Sequence, residues 1–345
     1  MSKIRYILLS LFITAALFAQ GVNITLLANL NDHPNSNYTD VWGYEAPDGR
    51  EYAIIGTNGG VGFVDITDPV NSVEVDFVPW VSFGAFGWYD MKTFANFCYV
   101  TSEGSSDLLV IDLSNLPNSV SVVDSLSLFT SNPHNNYIDV EAGLLYGIED
   151  FNFNAPVRTF SLAFPQNPFE VSTISGSIAI DAHDVFAQDS ILYVAEGSNP
   201  TIGVFDMSDP ANPALIERIL VPAGGYVHNV WVSEDNTIMA TTEETGGKTV
   251  KVWDISDISN AVLVGEYLGE SELAHNVYIK DNYLMMSHYE SGVKLVDITD
   301  PSRPTEIGSY DTYPQDDSPN FNGAWGLYPF ATNNKLLVGD IQTGL

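Results

Sequence analysis

The chain is poor in cysteine, in positive charge and in long apolar runs. Its one cysteine in 345 residues, Cys98, rules out an internal disulfide and any multi-cysteine metal centre. Only 12 Lys and Arg stand against 44 Asp and Glu, a formal net charge of −32. Phosphate backbones are bound through lysine and arginine, so a nucleic-acid partner is excluded. An anionic membrane surface would repel the chain for the same reason. The longest apolar run, residues 6–18, falls short of the roughly 20 residues that cross a bilayer, so no transmembrane segment is expected. No window beyond the first 20 residues keeps a helical 3.6-residue period. Neither HExxH nor GxSxG occurs, so two common hydrolase signatures are missing.

What is present begins with an address. Lys3 and Arg5 precede the apolar run, and Leu17-Phe18-Ala19 supplies a small residue at its end. Residues 1–19 read as a secretory signal peptide cut near Ala19, which implies export. The whole sequence is 45% hydrophobic and 12% aromatic, enough for a packed core.

An internal repeat dominates the rest. It reads VGFVDITDPVN from Val61, LLVIDLSNLPN from Leu108, IGVFDMSDPAN from Ile202, VKVWDISDISN from Val250 and VKLVDITDPSR from Val293. A degenerate copy, VRTFSLAFPQN from Val157, puts Ser161 in the Asp position. Between these lie polar pairs that open apolar strands: Thr39-Asp40, Tyr89-Asp90, His134-Asn135, His183-Asp184, His228-Asn229 and His275-Asn276, with Gly323-Ala324-Trp325-Gly326 as a weaker seventh copy. Seven such units, rich in β-branched and aromatic residues, predict an all-β fold, a seven-bladed β-propeller over residues 20–345. Residues 23–30 (NITLLANL) are expected to close the ring as the outer strand of blade seven. The last unit stops after two strands, at Gly344-Leu345, so a further C-terminal stretch is expected.

The VxVxD repeats with their Asp-Pro turns resemble LVIVD-repeat proteins. YTDVWGYEAPDGREYAIIGT, AHNVYIKDNYLMMSHYESGVKLVDITDPSRP and GAWGLYPF with VGDIQTGL resemble the choice-of-anchor B family of secreted bacterial proteins. That resemblance implies an extracellular or cell-surface propeller followed by a variable anchoring segment, and it implies no activity.

In a propeller, the start of each inner strand and the end of the next strand meet on one face. The starts carry His134, His183, His228 and His275, with Asp40 and Asp90 assigned to the remaining blades. The ends carry Asn58, Glu103, Glu149, Glu196, Glu243 and Asp340, with Tyr289-Glu290 beside His288 in blade six. The four histidines are therefore candidate ligands for one divalent metal ion such as Zn, Mn or Fe. Asp40, Asp90, Glu103, Glu149, Glu196 and Glu243 are the candidate ligand-binding carboxylates. An equally simple reading makes the histidines struts, each bonding a neighbouring blade. Gly246-Gly247-Lys248-Thr249 reads as a hairpin turn, since it lacks the preceding glycine of a phosphate loop. The acidic loop at 311–322 lacks EF-hand spacing and reads as solvated, and Cys98 as a buried apolar residue. Two functions compete: a surface binding or scaffold module for an extracellular protein or glycan, and a metal-dependent enzyme working at the channel mouth.

Overall fold

A computed structural model describes residues 21–80, 87–149, 157–175 and 181–345, so the expected signal peptide lies outside the described residues. Six antiparallel sheets, each of four consecutive strands, follow one another along the chain. Their first strands are Tyr38–Glu45, Tyr89–Phe94, Asn135–Asp139, Asp184–Gln188, Val227–Val232 and Val277–Lys280. These first strands pack on one another in order around a common axis, which makes the sheets blades one to six of a β-propeller. Among the described residues no helix is long and apolar enough to cross a membrane.

The repeat has a local physical cause. The aspartate ending the third strand accepts a hydrogen bond from the backbone N–H two residues on, closing an Asx turn. Asp65 does this with Thr67 at 2.9 Å, Asp112 with Ser114 at 2.8 Å, Asp206 with Ser208 at 2.8 Å, Asp254 with Ser256 at 3.0 Å and Asp297 with Thr299 at 2.8 Å. In the degenerate copy the Ser161 hydroxyl accepts from Ala163 N at 3.2 Å, so the turn survives the substitution. Each third strand also carries a bulge against its fourth, at Phe63/Val64, Val110/Ile111, Thr159/Phe160, Val204/Phe205, Val252/Trp253 and Leu295/Val296. A bulge at one place in every blade increases local twist where the outer edge must turn away.

The core lies between blades. Tyr52, Ile54, Val61 and Phe63 of blade one pack against Met91, Cys98, Val100 and Ile111 of blade two, which confirms Cys98 as buried. Equivalent clusters join the later blades.

Two expectations need correction. The structure has six full blades, not seven. At the seventh position stand two strands, Ala324–Tyr328 and Leu337–Asp340, because the described chain supplies no third VxVxD strand there. Nor do residues 23–30 form an outer strand, since an outer strand needs a third strand to pair with. Instead Gly21–Val22 adds to the outer edge of blade six, pairing with Tyr310 and Ser309. The two-stranded sheet still meets blade one: Tyr38 N donates to Ile341 O at 3.0 Å, and Leu30 and Leu345 exchange backbone hydrogen bonds of 2.8 and 2.9 Å. Contact there is close enough to require glycine. A Cβ on Gly326 would lie 2.7 Å from both Asp40 Oδ1 and Val41 N.

Candidate functional site at the channel mouth

The antiparallel pairing of first and second strands puts the start of one beside the end of the other. His134 N donates to Ile148 O at 2.8 Å, His183 N to Ala195 O at 2.8 Å and His275 N to Ser287 O at 3.0 Å. The same register in successive blades sets the imidazoles side by side. Ring centroids are 4.6 Å apart for His134–His183, 4.1 Å for His183–His228 and 4.3 Å for His228–His275. The arc continues with Trp325, 4.4 Å from His275, and Trp88, stacked 5.1 Å from Trp325. With Glu103, Tyr226, Glu244, Tyr289 and Phe321 these rings enclose a cavity of about 380 Å³ at the mouth of the channel.

The hydrogen bonds assign the protons. His183 Nδ1 lies 2.9 Å from the carbonyl of His228, and His275 Nδ1 lies 2.7 Å from the carbonyl of Trp325. A carbonyl only accepts, so both Nδ1 atoms carry a proton, and in a neutral ring Nε2 keeps its lone pair. His134 Nδ1 likewise donates to Glu103 Oε1 at 2.6 Å. At His228 the analogous carbonyl, that of His275, accepts the Thr242 hydroxyl at 2.5 Å, and His228 Nδ1 has no hydrogen-bond partner among the described residues. Burial, then the nearby His134, hold His183 well below the ordinary histidine range. Burial and the flanking His183 and His275 do the same to His228. Burial pushes His275 down to about 3. These three rings are neutral at physiological pH. Their Nδ1 edges at His183 and His275 tie blade to blade, as the strut reading requires, while the opposite nitrogens stay available.

Glu244 is the carboxylate that joins them. Its Oε1 lies 3.8 Å from His228 Nε2 and 3.9 Å from His275 Nε2, and it accepts a hydrogen bond from the Tyr289 hydroxyl. Burial and the Glu244 charge hold the Tyr289 phenol well above its usual range, so it remains a donor. One ligand atom each from His228, Glu244 and His275 falls within 4.8 Å of the others; His134 and His183 stand outside that group.

Most of the carboxylates singled out in the sequence lie elsewhere. Glu103 is at the mouth, paired with His134. Asp40 and Asp90 are not, because Thr39 and Tyr89 occupy the histidine register in blades one and two: Thr39 Oγ1 donates to Tyr89 O at 3.1 Å as His183 does to His228 O. One residue further on, Asp40 and Asp90 flank the buried Lys92 ammonium, which lies 3.6 Å from Asp40 and 4.5 Å over the Trp42 ring. Burial drives the Asp40 carboxyl well above its usual range, whereas for Asp90 the Lys92 charge overcomes burial and lowers it. Glu149, Glu196 and Glu243 are buried in ion pairs with blade cations. Arg158 Nε reaches Glu149 at 2.9 Å, Arg218 Nε reaches Glu196 at 2.8 Å, and Lys251 binds Glu243. Each carboxylate is paired with a cation of its own blade, and none of the three lines the mouth cavity.

Sequence reading missed Glu244, Trp88, Tyr226 and Phe321. The signal for Glu244 was the doubled acid at Glu243-Glu244, since neighbouring residues of an extended chain point to opposite sides. Trp325 holds the histidine register of the seventh sheet, as its carbonyl partner to His275 shows.

With the fold and mouth defined, the chain is a β-propeller that carries LVIVD repeats. The LVIVD repeat model matches residues 180–221, 224–269 and 273–312, which correspond to blades four, five and six. A crystal structure of the WD40 repeats of RRP9 is similar over 91% of this chain and 90% of that chain, with a TM-score of 0.67 and 11% sequence identity, a likeness of fold alone. Over 85 residues the chain is 27% identical to an uncharacterized protein of Archaeoglobus fulgidus; the match spans 23% of this chain and 13% of that protein.

Proposed function

We propose that this propeller is an exported binding or scaffold module that takes an extracellular glycan or protein segment at the channel mouth. The observation that carries the reading is the cavity of about 380 Å³, walled by Trp88, Trp325, Tyr226, Tyr289 and Phe321 and floored by imidazoles. Concave sites with aromatic walls and a few convergent polar groups are where small ligands and chain segments bind. Export rests on the N-terminal signal-like segment and on the motifs shared with the choice-of-anchor B family.

Trp88 and Trp325 make the mouth its own reporter. Titration with a panel of oligosaccharides and short peptides should change tryptophan fluorescence saturably. Phe321→Ala, at an exposed wall position, should weaken that response by about tenfold. A response that Phe321→Ala leaves untouched places binding away from the mouth.

A further inference from the structure

We propose that His228, His275 and Glu244 hold one divalent transition-metal ion, with its open coordination positions facing the mouth cavity. The inference rests on the reading of the mouth as the binding place, and it names the chemistry that would hold a ligand there.

Geometry comes first. Two bonds of about 2.1 Å at a tetrahedral angle put their ligand atoms roughly 3.4 Å apart. Glu244 Oε1 lies 3.8 and 3.9 Å from the two Nε2 atoms. A small turn of the Glu244 side chain, which is partly exposed at the cavity, closes that difference.

The surroundings fit a metal ligand set. His275 Nδ1 donates to the Trp325 carbonyl, which fixes the tautomer that presents Nε2. Tyr289 donates to Glu244, orienting the carboxylate. Outer-shell bonds of these two kinds hold metal-ligating histidines and carboxylates in place. His228 is 2% exposed, so packing holds its ring, and its Nε2 faces Glu244 Oε1 at 3.8 Å. Two imidazoles and a carboxylate suit Zn, Mn, Fe or Co, and three protein ligands leave room for a ligand's oxygen. The net charge of −32 favours a cation over an anion at the same place.

The test uses the chelator-stripped full chain with Co²⁺ as probe, read by calorimetry and by the visible absorption of the bound ion. The expected result is one equivalent per chain and a rise in melting temperature. Glu244→Gln should lower Co²⁺ affinity by more than the roughly 10–100-fold that loss of an outer-shell partner costs. The metal-free variant should keep the wild-type melting temperature and near-ultraviolet circular dichroism. His228→Asn provides a second variant should Glu244→Gln fold poorly. Absence of stoichiometric uptake, or uptake that survives both substitutions, overturns the inference. The glycan and peptide titration, repeated with chelator, separates the two readings. A saturable Phe321-dependent response without metal uptake sinks the metal and keeps the binding mouth. Metal uptake without any such response keeps the metal and sinks the wider binding reading.

Discussion

The indole rings of Trp88 and Trp325 stack at 5.1 Å with an interplanar angle of 5°, although one precedes the first strand of blade two and the other belongs to the two-stranded sheet. Blade one stands between them and carries Thr39, a small residue, in the histidine register. The pair therefore spans the join where the ring closes. Trp325→Ala should cost about 3–5 kcal/mol, the usual range for deleting a buried large aromatic. Trp325→Phe should recover at least half. Urea unfolding of the two variants measures the difference, and equal midpoints for wild type and Trp325→Ala would remove the pair from the closure.

Buried ion pairs offer a different kind of expectation. Arg158 is bound to Glu149 at 2.9 Å and to Glu170 at 2.8 Å, and Glu149 is fully buried. Arg158→Met leaves that carboxylate without its cation and should destabilise the protein by about 3–5 kcal/mol. Adding Glu149→Gln should restore much of the loss, because the penalty belongs to the stranded charge. A double variant no more stable than Arg158→Met contradicts this account.

Acid sensitivity should begin well above the carboxylate range. His288 is buried, its Nδ1 lies 2.8 Å from Ser271 Oγ, and burial pushes its pKa down to about 4. The unfolded side chain titrates near 6.5, so between roughly 6.5 and 4 only the unfolded chain takes up that proton. Its contribution is complete above about pH 6.5 and falls by roughly 1 kcal/mol per pH unit as the pH drops through the window. In chelator-treated protein His183, His228 and His275 shift in the same direction and add to the loss. Asp184, raised to about 6 by burial, and Asp40 and Asp311, also raised by burial, act oppositely, losing stability as pH rises. Four histidines outweigh three carboxyls, and the melting temperature should fall from pH 7 to pH 5. A flat profile would mean that the rings are not neutral in the folded state.

Tyr289→Phe tests orientation of the Glu244 carboxylate. The substitution removes only the hydroxyl that donates to Glu244. Co²⁺ affinity should drop by about tenfold, as for other outer-shell losses, with stoichiometry unchanged. An unchanged affinity would make the tyrosine a packing residue alone.

The blades were legible because their signal is local. Asp65, Asp112, Asp206, Asp254 and Asp297 close the same turn in five places, and each turn needs only residues two apart. The gathering of His134, His183, His228 and His275 was legible too, since all four hold one register. What failed was register by a single residue. Thr39 and Tyr89, not Asp40 and Asp90, match the histidines, and a slip of one on a strand moves a side chain to the other side. The pair Glu243-Glu244 shows the same limit: one acid meets Lys251 and its neighbour meets His228, and composition cannot choose between them. The course of residues 21–30 was hidden for another reason. Where that segment pairs depends on which sheet edge lies open in three dimensions, and blade six offered one to Gly21–Val22.

Lys92, Arg158, Lys251, Lys294 and Lys335 are buried, so five of the chain's 12 lysines and arginines are withdrawn from solvent. Ten carboxylates are buried as well, so the outer surface keeps most, not all, of the chain's acidic excess. Such a surface gathers its own cloud of counter-ions, several times richer in cations than the bulk at low salt. Divalent ions in that cloud would reach the mouth faster than free diffusion from dilute solution allows, and added salt, by shrinking the cloud, would slow their arrival without altering the ligands that receive them.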